Sequence, residues 1–171
     1  ESQGNHQQAM RYYQGALRIN SGLIMVHYML GTVFEGLKMY EKAIERYYAV
    51  VSMNPNFVIA YNNLAYLLAE QKKDLKKALE FAEKANKLAP NKPEILDTLG
   101  WAYYQNKKYQ DAVRHLEKAN KLSPNNPFIL YHLGMSYDKM GKKGEAKRML
   151  EKVMKISPGF EKKQEILKIL K

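Results

Sequence analysis

Apolar residues recur along this chain at three- and four-residue intervals, and the pattern restarts about every 34 residues. One stretch shows it clearly: Leu96, Leu99 and Tyr103 are followed, after a short polar turn, by Ala112, Leu116 and Ala119. That spacing predicts two amphipathic helices per period. Four prolines mark the period, in Asn54-Pro55, Ala89-Pro90, Ser123-Pro124 and Ser157-Pro158, separated by 35, 34 and 34 residues. Each falls where the second helix should stop, because proline lacks an N–H and drives the preceding residue out of helical conformation. A Leu followed by Gly or Ala recurs in the first helix (Leu30-Gly31, Leu64-Ala65, Leu99-Gly100, Leu133-Gly134). Three residues after each small residue comes a large one: Phe34, Leu68, Tyr103 and Tyr137. Ala43, Ala78, Ala112 and Ala146 recur in the second helix. Small residues suit a close helix crossing, and a larger side chain there would cost about 1–3 kcal/mol. One such pair cannot bury its own apolar face, so neighbouring pairs must stack.

These residues resemble the tetratricopeptide repeat, a 34-residue helix-turn-helix unit, over nearly the whole chain. The resemblance implies an all-α, right-handed superhelical solenoid of antiparallel helix pairs. Its units run 24–57, 58–92, 93–126 and 127–160, and the second has one extra residue, expected in its inter-helix turn around Lys72 to Asp74. Residues 4–21 match only a second helix through Gly4, Ala9, Tyr13 and Ala16, which predicts a truncated repeat and a longer natural protein. Residues 161–171, with Ile166, Leu167, Ile169 and Leu170 among lysines and glutamates, read as a capping helix. The whole chain is expected to form a single solenoid domain.

Composition narrows the function further. The 171 residues are 46% hydrophobic, enough for a packed core, and contain no cysteine. That excludes disulfide frameworks, thiolate nucleophiles and cysteine-ligated metals. No apolar run approaches the roughly 20 residues that cross a bilayer. His6, His27, His115 and His132 lack the spacing of a zinc ligand set, and Gly141-Lys142-Lys143-Gly144 falls in an inter-helix turn rather than a phosphate loop. His27 and His132 are expected to be solvated or to touch a ligand. No catalysis, metal or cofactor is expected. The net charge of +11 comes mostly from lysine, in pairs such as Lys72-Lys73 and Lys107-Lys108 on turns and second helices. Arginine forks suited to nucleic acid are few, so the charge reads as a solvated outer surface rather than a nucleic-acid face.

The inner face reads differently. In the family that these repeats resemble, the first helix of each unit lines a concave groove. Carried over, its inward positions are Met25, Tyr28, Met29, Thr32 and Glu35, then Ile59, Asn62, Asn63, Tyr66 and Glu70. The third unit supplies Glu94, Asp97, Thr98, Trp101, Tyr104 and Gln105, and the fourth Phe128, Tyr131, His132, Met135, Asp138 and Lys139. Aromatic and Met side chains suit a partner's segment, asparagines resemble those that relatives use on an extended backbone, and the carboxylates suit a ligand carrying Lys or Arg. The expected partner-binding residues are Tyr28, Met29, Thr32, Asn62, Asn63, Tyr66, Asp97, Thr98, Trp101, Tyr104, Tyr131, His132 and Met135. Several of these aromatics, Trp101 included, equally suit burial between first helices. Chaperone-binding members clamp a C-terminal carboxylate with Lys, Asn, Asn, Lys and Arg, where this chain has Tyr28, Thr32, Asn63, Glu94 and Thr98, so that only Asn63 agrees. That clamp is not expected. The expected function is a scaffold that binds a peptide or helical segment of a partner protein; the alternative is a self-assembly module, a homo-oligomer through its terminal helix or groove. The stretches around Asn62, Asp97 and Tyr131 also loosely resemble tetratricopeptide proteins of bacterial cell-envelope and polysaccharide-export systems, which leans toward the bacterial envelope or cytoplasm as the location.

Overall fold

The computed structural model describes residues 2–171, with side chains from residue 5 onward; the reading made at Gly4 lies outside the described side chains. Among the described residues it holds ten helices and no strand. They are α1 (Ser2–Ile19), α2 (Ile24–Gly36), α3 (Tyr40–Met53), α4 (Val58–Glu70), α5 (Leu75–Leu88), α6 (Pro93–Gln105), α7 (Tyr109–Leu122), α8 (Pro127–Lys139), α9 (Lys143–Ile156) and α10 (Lys163–Leu170). Four antiparallel pairs, α2–α3, α4–α5, α6–α7 and α8–α9, stack in chain order. The result is the right-handed superhelical solenoid expected from the repeat pattern. First helices also touch along the stack, α4 on α6 and α6 on α8, and form its inner row.

Local chemistry sets each boundary. The residues that close α3, α5, α7 and α9 (Asn54, Ala89, Ser123 and Ser157) have φ between −141° and −134°, as the following proline requires. Pro93 and Pro127 open α6 and α8, where a missing N–H costs nothing. Asp74 caps α5 by accepting from the Lys77 N–H, and Asn126 caps α8 by accepting from the Phe128 and Ile129 N–H groups. The α4–α5 turn has four residues, Gln71 to Asp74, where the other three pairs have three-residue turns. All four turns contain a residue in the left-handed region: Lys38 (φ 57°), Lys72 (50°), Lys107 (62°) and Gly141 (75°).

The crossings explain the small residues. A Cβ on Gly31 would lie 2.6 Å from the Tyr47 ring, on Gly100 2.5 Å from Leu116 Cγ, and on Gly134 2.7 Å from a Leu150 methyl. In the second pair the first helix carries Ala65, and its neighbour across the crossing in the same buried cluster is Ala82, not a large residue. A large residue on the second helix therefore faces a Gly on the first, and a Cβ appears on the first helix where the second helix supplies an Ala. At the C-terminal end Phe160 and Ile166 are buried and Ile169 and Leu170 half-buried, which seats α10 on α9. Among the described residues, no helix is long and apolar enough to cross a membrane.

Candidate functional site

The inner row carries three cavities, two of which share part of their walls. The first, of 270 Å³, is lined by Glu35, Asn62, Asn63, Tyr66, Glu94, Asp97, Thr98, Asn126, Phe128, Ile129 and His132. It holds three carboxylates, and no lysine or arginine is among those lining residues. An apolar cleft of 520 Å³ shares Asn62, Asn63 and Glu94 with it and adds Val58, Ile59, Ala89, Lys92 and Ile95. The third, of 210 Å³, lies between Glu70, Lys72, Trp101, Tyr104, Gln105, Tyr131, Met135, Lys162 and Glu165.

Six of the expected binding residues thus meet in the first cavity (Asn62, Asn63, Tyr66, Asp97, Thr98 and His132), and four in the third (Trp101, Tyr104, Tyr131 and Met135). Tyr28, Met29 and Thr32 lie outside both. Tyr28 packs against the Tyr47 and Phe57 rings, and Thr32 donates to the Met29 carbonyl at 2.8 Å.

Burial separates walls from contact surface. Thr98, Trp101, Tyr131 and His132 are buried, whereas Asn62, Asn63, Tyr66, Asp97 and Tyr104 are half-buried and Phe128 is exposed. Trp101 lies between Tyr104 (centroids 4.6 Å apart, 6° between planes) and His132 (4.2 Å, 22°), and its Nε1–H donates to Glu70 Oε2 at 3.0 Å. His132 Nδ1 is 2.8 Å from Asp97 Oδ1. Of the two states expected for His132 and His27, solvated or touching a ligand, the first does not hold, since both rings are buried. His132 stacks on Trp101, and His27 is buried with Nε2 at 2.9 Å from the Ser21 carbonyl. Each ring found a partner one turn or one helix pair away, which removes it from water.

The carboxylates shape the electrostatics. Burial pushes the Glu35 carboxyl above its ordinary value, and the Tyr47 hydroxyl, donating at 2.8 Å, partly offsets this. Asn63 Nδ2–H donates in turn to Tyr47 Oη at 3.3 Å. The Tyr66 phenol is pushed up, first by burial and then by Glu70, Glu161, Asp97 and Glu35, so it stays neutral amid acidic neighbours. Tyr104 is pushed up to about 12, chiefly by burial. Several acidic groups already have internal donors: Glu70 holds Trp101 and Lys162, Asp97 holds His132, Asp138 holds Lys143, and Glu165 holds the Tyr131 hydroxyl at 2.8 Å. Asn62 Oδ1 is buried without a hydrogen-bond partner, an acceptor on the wall shared by the first cavity and the apolar cleft.

Sequence reasoning missed Lys162 and Glu165, which complete the inner face. A signal existed: one further 34-residue period beyond Phe128 and Tyr131 falls on these two residues. Ala89 and Ile95 of the apolar cleft gave none, because their exposure depends on how two neighbouring pairs splay.

Known proteins share this architecture. The model of the tetratricopeptide repeat matches residues 28–93, and that of the anaphase-promoting complex, cyclosome, subunit 3 matches residues 71–153. The BBSome complex member BBS4 of Bos taurus is 30% identical over 111 residues, which are 63% of this chain and 20% of that protein. The chain therefore spans about a fifth of the length of that relative. Among solved structures, MamA from Desulfovibrio magneticus RS-1 superposes with a TM-score of 0.78 at 23% identity, covering 92% of this chain and 89% of its own. YrrB, described as a TPR protein with an unusual peptide-binding site, superposes with a TM-score of 0.74 at 20% identity, covering 98% and 86%. With the 34-residue period, the stacked helix pairs and the small residues at their crossings, these matches show that the chain belongs to the tetratricopeptide repeat family.

Proposed function

We propose that the chain is a non-catalytic scaffold whose concave face holds a segment of a partner protein, one presenting an aliphatic side chain beside a lysine or arginine. The observation that carries this reading is the wall shared by an apolar cleft and a carboxylate-lined cavity, in a protein whose net charge is +11. Opposite signs on the inner face and in the overall charge favour a cationic ligand inside the groove and oppose it elsewhere. Asn62 Oδ1, buried and unpaired, suits the N–H of an extended backbone, since an unmatched buried acceptor carries a desolvation cost that a donor removes. YrrB's peptide-binding site, on a like fold, supports the use of such a surface for peptides. Self-assembly has the exposed Tyr12 and Ile19 of α1 in its favour, but leaves the chemistry of the inner cavities without a use.

The test is affinity capture from source-cell lysate with the wild type and with an Asn62→Ala, Glu94→Ala, Phe128→Ala variant shown by circular dichroism to be folded. Loss of a partner from the variant alone supports the groove. Equal capture by both overturns it.

A further inference from the structure

The C-terminal segment reaches back across the groove. Lys162 Nζ lies 2.5 Å from Glu70 Oε1, although the two residues are 92 positions apart. Both partners of the bridge line a 600 Å³ cavity, with Glu35, Lys38, Tyr66, Phe128 and Glu161. The bridge also borders the 210 Å³ cavity that holds Trp101 and Tyr104. It thus stands between two compartments of what would otherwise be one channel.

The bridge is anchored at both ends. On one side Glu70 is held by the Trp101 indole at 3.0 Å. On the other, Phe160 packs edge-on against Phe128 at 5.2 Å, Glu165 accepts from Tyr131, and Ile166 is fully buried. The side chains of Lys162 and Glu70 are only 29% and 18% exposed, which shields their attraction from solvent. The remaining carboxylates near the ammonium, Glu161 and Glu165, add to the pull on it.

We propose that Lys162 is an internal latch: its ammonium occupies the seat on Glu70 that a lysine or arginine of the partner segment takes when the segment runs the full length of the groove. This rests on the reading of the groove as a segment-binding face. Binding and unlatching are then coupled, because one carboxylate cannot hold both cations in the same geometry. Removing the latch residue makes the seat available without competition, so affinity for a cationic segment rises while affinity for a neutral one does not. Removing Glu70 abolishes the latch and cuts the preference back to what Glu35, Glu94 and Asp97 of the first cavity supply.

Trp101 is the only tryptophan in the chain and is bonded to the seat, so its emission reports the event directly. The probes are acetylated, amidated heptapeptides of leucine and alanine with one central lysine or norleucine. They are titrated into the full chain as wild type, Lys162→Met, Lys162→Arg, Glu70→Gln and the groove variant Asn62→Ala with Phe128→Ala. The expected result is at least about fivefold tighter binding of the lysine peptide by Lys162→Met than by wild type, with Lys162→Arg restoring wild-type affinity. Norleucine affinity should be equal in the two, and Glu70→Gln should show a smaller lysine-over-norleucine preference than Lys162→Met. Equal lysine-peptide affinity in wild type and Lys162→Met, with weakened binding by the groove variant, overturns the latch and leaves the groove reading standing. Binding that the groove variant does not weaken overturns the groove reading itself. No binding by any form overturns the latch.

Discussion

Replacing Gly100 by alanine should destabilise the protein in one background and stabilise it in another. The added Cβ would lie 2.5 Å from Leu116 Cγ and 2.9 Å from one of its methyls, and Leu116 is fully buried. Overpacking of this kind costs about 1–3 kcal/mol. Against it stands the gain of about 1 kcal/mol for alanine over glycine in a helix interior. The single substitution should therefore cost up to about 2 kcal/mol, and at this chain length each kcal/mol lowers Tm by about 2–4 °C. Leu116→Ala alone should cost about 2–5 kcal/mol through the cavity it leaves. In that background the Gly100→Ala methyl enters the void, reproducing the Ala65 and Ala82 pair of the preceding crossing, and should add about 1 kcal/mol of stability. Urea titration of the four proteins of this cycle, with the slope checked for constancy, reads the coupling, expected at about 1–3 kcal/mol. Gly15→Ala, with no atom within 4 Å of its Cβ, is the control and should stabilise in any background. If Gly100→Ala changes stability equally with Leu or Ala at position 116, the steric coupling across the crossing is wrong.

Three other outcomes follow from the geometry. Lys107→Gly, at a left-handed turn position that the fourth pair fills with Gly141, should raise stability by about 1 kcal/mol in the same titration. Trp101→Phe should keep most of the stacking on Tyr104 and His132 but lose the bond to Glu70, costing about 2 kcal/mol and marking this residue as wall rather than contact. Glu35 is raised above the ordinary 4.5, so between that value and its folded-state value the native protein holds the extra proton and stability falls as pH rises. The Glu35→Gln variant lacks this ionisation, so the stability of the wild type relative to the variant should decline from pH 4 to 7; a constant difference would contradict the burial of that carboxyl.

The solenoid was readable because its determinants are local and periodic. Leu64-to-Leu99 and Ala43-to-Ala78 each span 35 residues where neighbouring intervals span 34, which brackets the extra residue between Leu64 and Ala78, around the turn where it is found. The inner face was readable as a set of positions but not as a surface. Whether Trp101 and His132 face solvent depends on the separation between neighbouring pairs, and both found hydrogen-bond partners, Glu70 and Asp97, one pair back. Several carboxylates that seemed available to a ligand are held by the chain's own donors for the same reason. The contact of Lys162 with Glu70 reflects the curvature of the whole stack, joining residues 92 positions apart.

The concave face is most directly tested by placing a photocrosslinking side chain, p-benzoylphenylalanine, at Phe128 in the groove and at Lys118 on the exposed side of α7, then irradiating in source-cell lysate. Partner adducts from position 128, absent from position 118 and suppressed by the Asn62→Ala, Glu94→Ala substitutions, are the expected result. Adducts from position 118 with none from position 128 would contradict segment binding in the groove and move the interface to the outer helices.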